Sequence, residues 1–138
     1  MSHYRIVETG EGFVVESRFL WFFWTETAEP CFKYDGCSYI EVEPQIWRYE
    51  TLNDAKGSIH RLNHMFYDYK DHTITYYIDS YGEKGFVDLN SKYKSYDNKT
   101  KYRIGGKTLQ EVKMMIDRYI KEKEEEVNKK KVTNIYYV

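Results

Sequence analysis

The sequence predicts an α+β domain in which internally duplicated strand-hairpin-strand-helix units form a mostly antiparallel sheet, with two helices on one face. Three observations carry this expectation. First, Tyr4, Ile6, Gly10, Glu11, Gly12, Phe13 and Val14 recur as Tyr76, Ile78, Gly82, Glu83, Gly85, Phe86 and Val87 once Lys84 is treated as an insertion. Both copies read as strand, glycine-containing turn and strand, the signature of a hairpin. Second, Thr51, Leu52, Lys56, Ile59 and Arg61 recur at the same spacing as Thr108, Leu109, Lys113, Ile116 and Arg118. Third, a chain of 138 residues with 15 Tyr, 7 Phe, 3 Trp and only 2 Pro is long and apolar enough to bury one core without disulfide or metal staples.

Each helical stretch opens with a threonine followed three residues later by an acid, Asp54 or Glu111. The threonine hydroxyl can accept from an otherwise unpaired backbone N–H, and the acid suits the positive end of the helix. Leu52, Ala55, Ile59, Leu62 and Phe66 recur at helical spacing, as do Leu109, Val112, Ile116, Tyr119 and Ile120. Both stretches are therefore amphipathic helices with one core-facing stripe. A strand-like segment precedes each, over 42–49 and 101–104. The second helix is expected from Leu109 to about Lys130. Glu125 and Glu126 stand four residues before Lys129 and Lys130, and these lysines complement the negative helix end. The last turns lack an apolar stripe, so they are expected to project. Residues 132–138 then read as a strand, rich in β-branched and aromatic side chains. The organisation is one domain over 1–138, with units of about 3–70 and 73–131 and a C-terminal strand at 132–138.

Composition sets outer bounds on function. Lysine and arginine number 21 against 22 aspartate and glutamate, so no global field favours nucleic acid or an anionic membrane. The balance is uneven along the chain: residues 1–70 carry 7 basic and 11 acidic side chains, and residues 71–138 carry 14 and 11. The longest apolar run, 19–24, is too short to span a bilayer, and residues 1–20 lack the layout of a signal peptide. A cytoplasmic location is expected, with no membrane partner.

Tyrosine- and tryptophan-rich short strands running into a Thr-Leu-x-Asp/Glu-Ala/Val-Lys-x-x-Ile helix start, over 47–62 and 102–119, resemble uncharacterised small proteins of phages and prophages. The resemblance implies a phage or mobile-element origin. It transfers no activity and no functional residues.

Motifs for chemistry are sparse. Cys31 and Cys37 have neither redox nor paired zinc-ligand spacing, and a reduced pair is expected. His60, His64 and Asp68 follow one another at four-residue steps, but Arg61 stands where a zinc protease would need its glutamate. No metal and no cofactor is expected. Gly105, Gly106, Lys107 and Thr108 lead into a helix N-terminus that could attract an anion, although a tight strand-to-helix turn is the strongly favoured reading. No serine or cysteine sits in a nucleophile motif, so no catalytic residue is assigned and no enzymatic activity is expected.

Two segments are candidate surfaces. Around Trp21, Phe22, Phe23 and Trp24 both faces of the strand are apolar. Cover by the 25–41 insertion is favoured there over display to a protein partner, and the four residues are the protein-binding candidates. The second segment interleaves Lys92, Tyr93, Lys94, Tyr96, Lys99, Lys101 and Arg103, with cations to track phosphates and phenol rings to stack on bases. A solvated hairpin is the favoured reading of that segment. The expected function is accordingly a non-enzymatic binding protein, an accessory factor acting through protein contacts. The alternative is a module for single-stranded nucleic acid or an anionic nucleotide. A homodimer formed by exchange of residues 132–138 is the assembly expected if the second helix carries them beyond their own sheet.

Overall fold

Strands β1 (Tyr4–Thr9), β2 (Gly12–Phe19) and β3 (Phe23–Glu26) form the first of three antiparallel sheets in the computed structural model, which describes residues 3–138. β3 continues through Thr27 into β4 (Ala28–Tyr34), which pairs instead with β5 (Tyr39–Ile46). The second sheet is completed by β10 (Thr100–Tyr102) and β9 (Lys92–Lys94), in the order β4-β5-β10-β9. The third runs β11 (Gly105–Gly106), β8 (Lys84–Asp88), β7 (His72–Ile78), β6 (Phe66–Tyr69). The α+β class and the antiparallel pairing agree with the sequence. The chain passes from the first sheet to the second at Thr27, whose N–H still reaches the Val15 carbonyl at 2.9 Å.

Helices α1 (Leu52–Asn63) and α2 (Leu109–Lys130) begin as their sequences require. The Thr51 hydroxyl accepts from Asp54 N–H at 3.1 Å, and Thr108 accepts from Glu111 N–H at 3.1 Å. Their entries correspond in register too. Phe13 of β2 bridges Tyr49, two residues before the Thr51 cap, and Phe86 of β8 pairs with Gly106, two residues before the Thr108 cap. The strands that precede differ. Tyr4 pairs with Ser17, whereas Tyr76 pairs with Phe86. The cause is the second turn, where the Asp79 carboxylate accepts from the N–H groups of Tyr81 and Glu83 and so uses more chain than the turn at Gly10 and Glu11.

Each helix covers its own sheet. Ala55 and Leu62 of α1 pack on Val15, with Tyr4, Ile6, Phe13 and Tyr49 around them. Val112 and Ile116 of α2 pack on Ile74, with Phe86, Ile104 and Ile120 around them. Between these cores an aromatic cluster joins the second and third sheets, with Phe32 set edge-on to Tyr77 at 5.4 Å and to Tyr102 at 5.5 Å. Phe66, counted above in the first helical stripe, lies instead in β6, because α1 stops at Asn63 and His64 turns its N–H back to the carbonyls of His60 and Arg61. Of 22 residues in α2 only Val112 and Ile116 are buried, and every residue from Lys121 onward is exposed. Residues 132–138, expected as a strand, have no strand partner among the described residues. Eleven residues separate Ile120 from Lys131, about 16 Å of helix at 1.5 Å per residue, which carries that segment away from the sheets.

Candidate binding surfaces

The aromatic run forms the tip of the β2–β3 hairpin. Phe19 pairs with Phe23, and residues 20–22 make the turn. Leu20 and Trp21 adopt left-handed conformations, φ 48° and 73°. For bulky L-residues this costs about 1–2 kcal/mol each. Trp21 is 76% and Phe22 75% exposed, and Phe19, Leu20 and Phe23 are exposed as well. The expected cover by 25–41 is absent. Cys31 and Phe32 of that insertion are buried, with Phe32 in the central aromatic cluster, so the insertion packs inward rather than over the tip. Alternation along β2 shows how the tip is left open. Phe13, Val15, Ser17 and Phe19 share one face; α1 covers its near end at Phe13 and Val15, and Phe19 stands beyond. Trp24 differs from its neighbours. It points to the other face, half-buried, with the Arg5 guanidinium 4.4 Å and the Arg18 guanidinium 5.1 Å from its ring. A groove of about 470 Å³ lined by His3, Arg18, Leu20 and Trp21 opens beside the tip.

The basic-tyrosine segment is the β9–β10 hairpin, and the fold divides its residues. Lys101 forms a 2.9 Å ion pair with Asp35, and Lys99 lies 3.9 Å from Asp97. Its ammonium, with the N–H groups of Ser38 and Cys37, holds the Asp35 carboxyl well below the ordinary range, while Asp35 raises the Lys101 ammonium. Lys94 and Tyr96 are exposed and do not line the groove formed by their neighbours. Lys92, Tyr93 and Arg103 do come together, with Asn90, Ser91, Ile104 and Tyr119, around a groove of about 370 Å³. There the Arg103 guanidinium lies 4.5 Å from the Tyr93 ring.

Beneath the surface lies a polar cluster that the sequence did not signal. Glu29 of β4 is fully buried and accepts two hydrogen bonds from Arg61, at 3.1 and 3.2 Å. The Tyr49 hydroxyl donates to the same carboxylate at 2.5 Å and lies 2.8 Å from the Ser58 hydroxyl. Burial, reinforced by Glu29, pushes the Tyr49 and Tyr76 phenols far above their ordinary range. Burial, with Glu41 beside it, raises Tyr102 to about 12. A second buried acid, Asp88, sits 2.8 Å from His72 Nδ1 and caps the short turn Leu89–Ser91 by accepting from Asn90 N–H. In both clusters the carboxylate oxygens are engaged by protein donors, which makes them joints between elements. The signal for Glu29 could only have been its place in an alternating strand, since Glu29, Cys31 and the core lie on one side.

Among the described residues no group of three His, Cys, Asp or Glu is placed to hold a metal ion. The His60 and His64 rings stack at 4.4 Å, and His64 Nδ1 is 2.9 Å from the His60 carbonyl oxygen. Cys31 and Cys37 are free thiols, the first buried and the second exposed. Among the described residues no helix is long and apolar enough to cross a membrane. Comparison with protein-family models, with curated proteins and with solved structures finds no match to this chain.

Proposed function

We propose that this chain is a non-enzymatic binding protein, an accessory factor of a phage or mobile element, that docks a protein through the 19–24 hairpin tip. One observation carries the reading: five consecutive large apolar side chains, 19–23, stand exposed on a turn whose Leu20 and Trp21 are held left-handed. Exposed apolar surface of this kind gains free energy only when covered, and backbone strain concentrates where surroundings or function maintain it. Tryptophan and aromatic anchors also dominate the energetics of protein interfaces. The test begins with a protein retained from bacterial lysate by the immobilised chain, purified and titrated against it. Joint Trp21→Ser and Phe22→Ser substitution is expected to weaken that binding at least about tenfold while the chain stays folded. Unaltered affinity in the doubly substituted chain removes the tip from the interface.

A second reading is favoured by the groove at Lys92, Tyr93 and Arg103. In it the two cations and the tyrosine ring bind an anionic nucleotide or single-stranded nucleic acid. Binding of a single-stranded oligonucleotide would weaken as salt rises, and Lys92→Glu with Arg103→Glu would abolish it. Lys99 and Lys101 are left unchanged in this test because each already faces an aspartate. No binding at low salt eliminates the reading.

A further inference from the structure

We infer that the tip's partner is a second copy of this chain, and that residues 132–138 of one copy add as a strand to the open β3 edge of the other. The inference rests on the tip being a protein-docking surface and names what docks there. Both halves of the contact are on one chain, and each lacks cover. Val132, Ile135, Tyr136, Tyr137 and Val138 are exposed, with Tyr137 at 92%, in a segment whose composition is that of a strand. The exposed turns of α2 hold it off its own sheets. At the other side, β3 is the outer strand of the first sheet, and among the described residues no strand pairs with its far side. Phe23 and Phe19 form an apolar strip beside that edge, and Leu20, Trp21 and Phe22 extend it.

Two other outer strands fit less well. β9 carries Lys92 and Lys94, which would repel the lysines at 129–131, and β11 has only two residues. β3 instead ends at Glu26, with Arg48 lying between Glu26 and Glu11. Antiparallel addition starting at Val132 places the lysines at 129–131 beside this acidic end and runs the apolar residues toward the tip. The whole-chain asymmetry has the same sense, because the acidic half, 1–70, would receive a strand from the basic half, 71–138. Strand addition supplies main-chain hydrogen bonds, and side chains from both faces of the added strand meet apolar surface at the tip. Reciprocal exchange closes a two-fold dimer and covers both tips at once.

The experiment compares, by light scattering across concentration, the full chain, the chain lacking 132–138, and the full chain with Trp21→Ser and Phe22→Ser. A peptide of residues 129–138 is added in trans to the shortened chain, with tryptophan emission as the readout. The expected result is a dimer for the full chain and folded monomers for both variants. The peptide should bind the shortened chain at least about tenfold more tightly than the shortened chain carrying the tip substitutions. A full chain that stays monomeric overturns the inference. If the doubly substituted tip nevertheless loses a purified protein partner, the function proposed above stands without it. A shortened chain that remains dimeric, with the tip-substituted chain monomeric, overturns 132–138 as the occupant and leaves the tip a docking surface. Tip-dependent sedimentation of the full chain with phosphatidylcholine vesicles, in place of dimerisation, overturns it in favour of a lipid surface.

Discussion

Glu29→Ala is expected to destabilise the protein by about 3–5 kcal/mol, the usual cost of removing one partner of a buried ion pair. The substitution leaves the Arg61 guanidinium, whose side chain is 16% exposed, without its carboxylate, and leaves the half-buried Tyr49 hydroxyl with Ser58 as its remaining partner. The loss is large because of where the partners come from. Glu29 stands on β4, Arg61 and Ser58 on α1, and Tyr49 on the chain bridged to β2, so one carboxylate fastens the second sheet to the first sheet and its helix. Glu29→Gln keeps a carbonyl acceptor and the side-chain volume, and its loss should be visibly smaller. Urea unfolding of the three chains reads the difference as midpoint shifts at similar slopes. A change under about 1 kcal/mol for alanine would show that the cluster holds nothing together.

Gly12→Ala is expected to cost about 2–6 kcal/mol, through two causes that add. Gly12 has φ +125°, a conformation that strains an L-residue by about 1–3 kcal/mol. Its added Cβ would also meet the Tyr49 carbonyl oxygen at 2.7 Å, and that oxygen is backbone, which cannot swing aside. Overpacking of this kind costs about 1–3 kcal/mol more. The same carbonyl accepts from Phe13 N–H at 2.8 Å, so relieving the clash pulls apart the bridge that sets the entry to α1. Gly10→Ala is the control. Nothing lies within 4 Å of its added Cβ, and a change within about 0.5 kcal/mol is expected. Equal melting temperatures for the two variants would mean that the bridge does not depend on Gly12.

The binding experiments and these two substitutions probe different layers of the molecule. Serine substitution at Trp21 and Phe22 acts on side chains that touch little of their own chain, so it separates binding from folding. Glu29 and Gly12 act on the joints beneath the tip. A tip presented by a loosened joint would lose affinity together with stability, whereas the tip substitutions lose affinity alone.

The features legible in the sequence are those whose causes lie within a few residues. Thr51 and Thr108 cap helices because a hydroxyl needs only the N–H three residues on. α2 spans Leu109–Lys130 as its periodicity and terminal lysines require. The 92–103 segment folds into a hairpin around Asn98, which takes a left-handed conformation at low cost. The antiparallel α+β class follows from such short hairpins and two amphipathic helices. What the tertiary structure alone decided concerns the far side of each element. The aromatic run reads as covered by 25–41, but that segment sends Phe32 into the central cluster and leaves the tip bare. Glu29, an acid beside a proline, reads as surface until Arg61, more than thirty residues away, closes on it. Lys101 reads as a free cation until Asp35 arrives from the turn between β4 and β5. A cap or turn is satisfied by neighbours in the chain, but burial and pairing depend on which segment arrives from a distance. That choice belongs to the packing of the whole chain, where each residue placed in the core is one withdrawn from the surface.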